Sequence, residues 1–131
     1  MIYGIGHDVL DMKRMDKLMN GRHAERFMER LLTQEEQILA ASRDAQRTEF
    51  VAGRFAAKEA ISKAFGSGIG RLIGFRDMEV LPDALGKPVA SLSKDAWERL
   101  GMEGPDYYMI HLTISHQTTL ASAFAVVEKI K

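Results

Sequence analysis

The chain has 131 residues, 46% of them apolar and 27% charged, which is the composition of an ordinary globular protein with room for one domain. Its 18 basic and 18 acidic side chains cancel, which argues against nucleic-acid binding, and the lack of cysteine excludes disulfides and thiolate metal sites. No apolar run approaches the ~20 residues of a membrane span, and the N-terminus does not resemble a signal peptide. These features predict a soluble, cytoplasmic, single-domain protein over residues 1–131.

The N-terminal half predicts one strand followed by three helices. A short apolar run with two glycines suits a buried strand, and apolar residues at helical spacing follow it. Thr33 and Glu36 have the spacing of a capping box, which marks the start of the third helix. The predicted elements are a strand over 2–6 and helices over 9–19, 22–32 and 33–42.

The C-terminal half predicts one long helix and then mostly strands. The long helix, 46–65, is ended by Gly66, and a glycine-rich loop follows over 66–74. The later elements are strands over 75–81 and 89–92 joined by a turn at 86–88, a helix between Ser93 and Gly101, and strands over 108–115 and 120–128 joined by a hairpin. This order predicts an α+β fold, a small and mostly antiparallel sheet packed with the long helix and several shorter helices.

Glu59 lies on a face of the long helix that is otherwise built from small and aromatic residues. At 3.6 residues per turn it shares this face with Ala52, Phe55, Ala56 and Lys63. A buried, unpaired carboxylate would cost several kcal/mol, so the position favours a cation, a metal or a functional role. The alternative is a solvent-exposed ion pair between Glu59 and Lys63, worth about 0.2–0.5 kcal/mol.

Asp8 follows the glycines of the first strand and is a second candidate. A carboxylate at a strand end can bind Mg²⁺, or it can cap the helix predicted to start at residue 9. If the strand end packs against the long helix, Asp8 and Glu59 supply the one or two protein carboxylates that Mg²⁺ uses at phosphate sites. Lys63, one turn beyond Glu59, would then face the same phosphates.

Three further basic side chains are candidates for anion binding. Arg54 and Lys58 precede Glu59 on the long helix, and both can be solvated cations, which is the favoured interpretation for Lys58. His116 ends the strand before the hairpin. It can be an exposed hairpin residue, or it can donate a hydrogen bond to a phosphate or transfer a proton.

The first two helices carry slightly more cations than anions. Such a surface is usually solvated and laced with ion pairs between residues four apart, but clustered cations would dock an acidic protein. Met12, Met15 and Met19 would add an adaptable apolar surface beside them. The cations are Lys13, Arg14, Lys17, Arg22, Arg26 and Arg30.

Three motifs, in this order, resemble those of one enzyme family. They are GIGHD from Gly4 to Asp8, RFAAKEAISKAFG from Arg54 to Gly66, and TISH from Thr113 to His116. The chain is similar over essentially its whole length to the holo-acyl-carrier-protein synthases, the short type of 4′-phosphopantetheinyl transferase. The motif of the long helix is the most specific of the three.

This resemblance implies a fold and an activity. Enzymes of the family move the 4′-phosphopantetheine arm of coenzyme A to a serine of apo acyl carrier protein and release adenosine 3′,5′-bisphosphate. They use Mg²⁺, serve fatty acid biosynthesis and form homotrimers with active sites shared between subunits. The resemblance therefore implies a 4′-phosphopantetheinyl transferase-like fold, with acyl carrier protein and coenzyme A as the substrates.

The resemblance also implies roles for individual residues. Asp8 and Glu59 fall on metal-ligand positions, and Glu59 and Lys63 on catalytic ones. Coenzyme A contacts are implied for Arg54, Ser62, Lys63, Gly66 and His116. Contacts with the carrier protein are implied for Arg14, Arg22, Arg26 and Phe27.

The mechanism that these roles imply is an in-line attack of the serine oxygen on the β-phosphorus of coenzyme A, in which positioning and charge neutralisation dominate. Mg²⁺ on Asp8 and Glu59 would bridge the pyrophosphate, and Lys63 would neutralise the transferred phosphoryl group. Glu59, directly or through a water on the metal, is the candidate general base. His116 would orient the nucleotide end.

Two positions depart from the family pattern. Position 7 is usually aliphatic and is His7 here, and some members have an aspartate where this chain has Gln117. A mechanism that uses such an aspartate for proton transfer cannot operate in this chain.

Three other classes of protein remain as alternatives. A non-catalytic coenzyme A sensor has no use for the Asp8 and Glu59 pair. A Mg²⁺-dependent hydrolase of nucleotide pyrophosphates needs no basic docking surface. A purely structural oligomer leaves the carboxylate on the helix face unexplained.

Overall fold

A computed structural model describes the whole chain, Met1–Lys131, as an α+β fold. Short 3₁₀ turns, Asp44–Gln46 and Phe75–Asp77, precede the longest helix and the second strand. None of the helices has the length and hydropathy of a membrane span. In chain order the elements are β1 (Ile2–Asp11), α1 (Met12–Met19), α2 (Ala24–Leu31), α3 (Gln34–Ala41), α4 (Arg47–Ala64), β2 (Met78–Pro82), β3 (Pro88–Leu92), α5 (Lys94–Leu100), β4 (Tyr108–His116) and β5 (Leu120–Lys129).

All strand pairs are antiparallel, as predicted. β5 lies in the centre of a three-stranded sheet with β1 and β4 on its two sides, while β2 and β3 form a separate pair. The buried face of β5 carries Ala121, Ala123, Ala125 and Val127, and α4 packs on this face. Because these side chains are small, the long helix lies close to the middle of the sheet.

The first strand is longer than its sequence pattern predicts. β1 continues to Asp11, which pairs with Leu120 of β5, so the predicted helix start at residue 9 is wrong. Asp11, not Asp8, caps α1, since its Oδ1 accepts a hydrogen bond from the backbone N–H of Lys13 at 2.9 Å. The hydrogen bonds of β5, from the far end of the chain, extend this strand past the point where a local pattern suggests a helix.

Two other boundaries also move. The predicted strand over 75–81 begins only at Met78, because Asp77 accepts a hydrogen bond from the N–H of Gly74 and closes a 3₁₀ turn. His116 is the last residue of β4 and not part of the hairpin loop. The capping box of Thr33 and Glu36 is confirmed.

An ion pair without any solvent exposure connects the helices to the second sheet. The ammonium of Lys58 on α4 lies 2.6 Å from Oε1 of Glu36 on α3, and both side chains are fully buried. Lys58 also donates to the carbonyl of Leu31, and Oε2 of Glu36 accepts from the backbone N–H of Val80 on β2. The interpretation of Lys58 as a solvated cation is therefore wrong.

Two glycines let β1 lie directly on α4. A Cβ at Gly4 would overlap the carbonyl oxygen of Ala64, and one at Gly6 would overlap that of Ala60. This close approach is the role expected of glycines in a strand. It brings Asp8, two residues beyond Gly6, next to the C-terminal half of the helix.

We expect Gly6→Ala to destabilise the protein by about 1–3 kcal/mol, because the added methyl group must push β1 away from α4. Urea denaturation of the two proteins measures this difference. Gly70→Ala is the matched control, since a Cβ at Gly70 has no neighbour within 4 Å. Equal stability of the two variants would contradict the proposed close approach.

Candidate functional site

Asp8, Glu59 and Lys63 meet where β1 crosses α4, and we call this group the acidic corner. Nζ of Lys63 donates to Oδ1 of Asp8 at 3.2 Å and to the backbone carbonyl of His7 at 3.1 Å. The predicted alternative, a simple ion pair between Glu59 and Lys63, does not form. Lys63 turns to the strand instead, so the carboxylate of Glu59 is left without an ion-pair partner.

Burial and charge both act on Glu59. Partial burial raises the pKa of Glu59 above its usual value, the nearby carboxylate of Asp8 raises it further, and Lys63 opposes the shift. Two carboxylates side by side repel one another, and a cation between them relieves that repulsion.

The donor set of the acidic corner suits a hard divalent cation. Asp8 uses only Oδ1 for its bond to Lys63, so Oδ2 and the carboxylate of Glu59 remain for a ligand. No third acidic or histidine side chain completes a metal-binding cluster. Two carboxylates, with the remaining positions left to water and phosphate oxygens, is the arrangement typical of Mg²⁺ at phosphate sites.

Arg54 and His116 lie together in a different place, a pocket of about 200 Å³ that we call the arginine pocket. The pocket is also lined by Arg43 and Glu49, and Oε2 of Glu49 lies 3.9 Å from Nδ1 of His116. Gly86 and Pro88 of the predicted turn also line it. Two arginines and a histidine facing one glutamate make this pocket favourable for an anion.

The guanidinium of Arg54 is held in a fixed orientation. It lies 4.2 Å above the ring of Phe50, and its Nε donates to the carbonyl of Val80 at 3.2 Å. Burial lowers the pKa of Arg54 to about 10, Glu36 opposes this shift, and the nearby charge of Arg43 adds to it. Arg54 is therefore charged at neutral pH, and an anion in the pocket would offset the repulsion between the two arginines.

The acidic corner and the arginine pocket lie on different faces of α4. Residues four apart share a face, so Arg54 goes with Lys58 and Glu59 goes with Lys63, with about 140° around the helix axis between Arg54 and Glu59. Neither Asp8, Glu59 nor Lys63 lines the arginine pocket. Within one chain the predicted site residues therefore form two groups and not one.

Ser62 and Gly66 lie at the end of α4. The Ser62 hydroxyl is buried and donates to the carbonyl of Glu59 at 2.8 Å, so it has no free proton to offer a ligand. Gly66 has a φ of +83° and ends the helix, while the next two N–H groups bond back to the carbonyl of Ser62.

The cations of α1 and α2 are exposed and unpaired. Arg14, Arg22 and Arg26 form no ion pair with any residue of the chain, and Phe27 lies half-buried beside Phe55, with 6.0 Å between the ring centroids. The prediction that three methionines form an apolar surface here is wrong. Met12, Met15 and Met19 are buried in the core, because α1 turns them toward α4.

The sequence patterns do not single out four charged or aromatic residues of these sites. Arg43, Glu49 and Phe50 line the arginine pocket, and Glu36 acts on Arg54 through Val80. Glu36 was identified only as part of a helix cap. No local pattern distinguishes Arg43 from a solvated surface residue, because its role depends on the fold that brings β4 and the turn at 86–88 to face it.

Curated relatives are similar in sequence to this chain over nearly its full length. The model of the 4′-phosphopantetheinyl transferase superfamily matches residues 4–112. A holo-[acyl-carrier-protein] synthase of Bacillus cereus is 44% identical over 131 residues, which is 99% of this chain and 98% of that protein. One of Bacillus cytotoxicus is 43% identical over 98% of this chain and 97% of its own length.

Solved structures agree with the fold. A holo-(acyl-carrier-protein) synthase of Bacillus anthracis in complex with CoA (3′,5′-ADP) is 42% identical, with a TM-score of 0.81 over 98% of both chains. The enzyme of Neisseria meningitidis is 35% identical, with a TM-score of 0.85 over 98% of this chain and 100% of its own. The predicted fold is confirmed.

The raised pKa of Glu59 gives a stability prediction with a defined sign. The folded state disfavours the ionised carboxylate, so ionisation of Glu59 lowers the free energy of unfolding at pH values above the folded pKa. This loss disappears as the pH falls below 4.5, the ordinary pKa of glutamate. We therefore expect Glu59→Gln to have a higher Tm than the wild type at pH 8, with a smaller difference at pH 4. Differential scanning calorimetry across this pH range measures the difference in Tm.

Glu98→Gln, which removes an exposed and unpaired carboxylate, is the control. A lower Tm for Glu59→Gln at pH 8 would contradict the assignment.

Proposed function

Because this chain belongs to the 4′-phosphopantetheinyl transferase superfamily, with holo-[acyl-carrier-protein] synthases as full-length relatives, we propose that it transfers the 4′-phosphopantetheine arm of coenzyme A to a serine of apo acyl carrier protein. The chain is thus a member of an enzyme family. The proposal rests on the acidic corner. Two carboxylates and a lysine at one point suit phosphoryl transfer, and the second carboxylate there adds repulsion and not stability. We place the reaction in the cytoplasm and in fatty acid biosynthesis.

In the proposed reaction the serine oxygen forms a bond to the β-phosphorus of coenzyme A. The bond from that phosphorus to the bridging oxygen breaks, and adenosine 3′,5′-bisphosphate leaves with this oxygen. Glu59 takes the serine proton, directly or through a water molecule beside it. The half-exposed ammonium of Lys63 neutralises charge on the transferred phosphoryl oxygens.

We propose Mg²⁺ as the cation of the acidic corner, held by Asp8 and Glu59. When bound there, the ion supplies charge neutralisation to the pyrophosphate. The hydrogen bond from Lys63 fixes the carboxylate of Asp8 and leaves its other oxygen free, which supports its role as a ligand.

The arginine pocket is the proposed site for the nucleotide end of coenzyme A. Arg54 and His116 face the same space, and phosphate groups are the anions that arginine binds best. The structure of the Bacillus anthracis relative in complex with CoA (3′,5′-ADP) supports a nucleotide as the ligand. Contacts of coenzyme A with Ser62 and Gly66 stay predictions.

Two features support a homotrimer whose active sites are shared between subunits. The acidic corner and the arginine pocket lie on different faces of α4, so a second subunit can bring the two halves of a site together. In addition, the outer face of the three-stranded sheet exposes apolar side chains, which a partner subunit would cover. These exposed residues are Ile5, Val9, Met109, Leu120 and Phe124.

The surface of α1 and α2 is the proposed docking site for the carrier protein. Arg14, Arg22 and Arg26 have no acidic partner within the chain, and Phe27 offers an aromatic contact beside them. Unpaired cations of this kind attract an acidic partner and increase its rate of encounter.

The alternatives fit the molecule less well. A coenzyme A sensor would not explain why Asp8 and Glu59 lie together despite their repulsion. A pyrophosphate hydrolase would not explain the basic surface of α1 and α2. No observation favours either of them over the transferase.

Intact-mass spectrometry tests the proposal directly. Apo acyl carrier protein incubated with this chain, coenzyme A and Mg²⁺ should gain ~340 Da, the mass of one phosphopantetheine arm. EDTA should prevent the gain. Binding of coenzyme A without any gain, across several carrier proteins, would favour the sensor. Consumption of coenzyme A without a carrier protein would favour the hydrolase.

Glu59→Gln should reduce the rate of transfer by about 10²-fold or more, since it removes both a general base and a metal ligand. The far-ultraviolet circular dichroism spectrum should be unchanged. Glu98→Gln should transfer at the wild-type rate. Near-normal turnover of Glu59→Gln would remove Glu59 from both roles.

Arg14→Glu should raise the KM for acyl carrier protein about tenfold, because it replaces an attraction with a repulsion at the docking surface. The KM for coenzyme A should change less than about twofold, since the variant leaves the nucleotide site intact. Lys94→Glu, which reverses an exposed charge on α5, should change neither constant. Equal effects of Arg14→Glu on both substrates would contradict the docking surface.

A further inference from the structure

The buried pair of Glu36 and Lys58 lies beside the arginine pocket without lining it. Oε1 of Glu36 accepts from Lys58 at 2.6 Å and from the N–H of Thr33 at 2.8 Å. Oε2 accepts from the N–H of Val80 at 2.8 Å. This carboxylate therefore connects the start of α3, the middle of α4 and the middle of β2.

The same residue of β2 also bonds to Arg54. The backbone of Val80 gives its N–H to Glu36 and accepts the Nε–H of Arg54 with its carbonyl oxygen. A continuous chain of contacts thus runs from Lys58 through Glu36 and Val80 to the guanidinium in the pocket. Nε is the only guanidinium atom with a hydrogen bond inside the chain, so both Nη groups of Arg54 remain for an anion.

We propose that Glu36 and Lys58 are positioning residues for anion binding, because they fix Val80 and thereby the orientation of Arg54. The inference rests on the proposed role of Arg54 in binding the nucleotide end of coenzyme A. Neither residue touches the ligand.

The orientation of the Arg54 guanidinium matters for phosphate binding. Arginine recognises phosphate through a planar fork of donors, so a tilt of the guanidinium loses one of two hydrogen bonds even when the charge stays in place. The ring of Phe50 restricts this fork on one face, and the carbonyl of Val80 restricts its edge. A second arginine, Arg43, lies 5.2 Å from the centroid of the same ring, lines the pocket and favours displacement of Arg54 by repulsion.

Lys58 is needed to hold the carboxylate of Glu36 in place. A buried carboxylate without a cation would be left with an uncompensated charge. Lys58 supplies that cation and is itself anchored by the carbonyl of Leu31 at 2.7 Å.

The experiment compares two neutral double variants of the full chain. Glu36→Met/Lys58→Met removes the charges and the oxygen that faces Val80, whereas Glu36→Gln/Lys58→Met removes the charges but keeps an oxygen there. Isothermal titration with adenosine 3′,5′-bisphosphate, the KM for coenzyme A and the Tm are measured for each. Asp11→Ala, which removes the cap of α1 and whose side chain bonds only to the N–H of Lys13, is the control for loss of stability alone.

We expect Glu36→Met/Lys58→Met to bind adenosine 3′,5′-bisphosphate about 10-fold more weakly, the effect of one weakened charge-assisted hydrogen bond. The glutamine variant should stay within about 3-fold of the wild type, and Asp11→Ala should lower the Tm without changing the affinity. In an Arg54→Gln background the 10-fold effect should disappear, because the pair acts through Arg54.

Wild-type affinity in a folded Glu36→Met/Lys58→Met variant would overturn the inference, as would an undiminished effect in the Arg54→Gln background. If the double variants do not fold, Glu36→Asp decides. It keeps a negative charge beside Lys58 but shortens the reach of the carboxylate to Val80, and it should weaken binding where Asp11→Ala does not. Wild-type protein that binds the nucleotide but modifies no carrier protein would refute the proposed transferase and leave this inference standing.

Discussion

The rest of the structure depends on an ion pair that has no contact with water. Removing two charges from solvent is unfavourable, and the mutual attraction of Glu36 and Lys58 offsets this only because their oxygens and protons are also bonded to backbone groups. Loss of one partner of such a pair typically costs about 3–5 kcal/mol, since the other charge is left buried. The helices and the second sheet are thus joined by a contact that tolerates little displacement.

The long helix α4 organises the functional groups because each of its faces meets a different part of the fold. One face lies on β1, where glycines allow the backbone to approach and place Asp8 beside Glu59 and Lys63. The neighbouring face meets α3 and β2, where Lys58 and Arg54 are bonded. An 18-residue helix is rigid, so the spacing between an acidic corner and an anion pocket is fixed by helical geometry.

Charge is left incompletely balanced at each functional place. The one lysine of the acidic corner bonds to Asp8 and not to Glu59, the arginine pocket holds two arginines and one histidine against a single glutamate, and the docking surface has cations without ion-pair partners. By contrast, the buried charges of Glu36 and Lys58 are paired with each other and bonded to backbone groups. A cation would balance the charge of the acidic corner, a phosphate that of the arginine pocket, and an acidic protein that of the docking surface.

The sequence by itself determined the α+β class, the antiparallel strands, the capping box of Thr33, the long helix and the candidate status of Asp8, Glu59, Lys63, Arg54 and His116. Periodicity, glycine and capping chemistry act within a few residues, so a sequence pattern contains them. Only the tertiary structure decided the end of β1, the burial of Lys58 and of the three methionines of α1, and the separation of the site residues into two groups. Each of these depends on a partner distant in the chain: β5 for the strand, Glu36 for the lysine, and the rotation of α4 between β1 and β2 for the two groups. A pattern read along the chain shows which residues can carry a function, but not which of them the fold brings together.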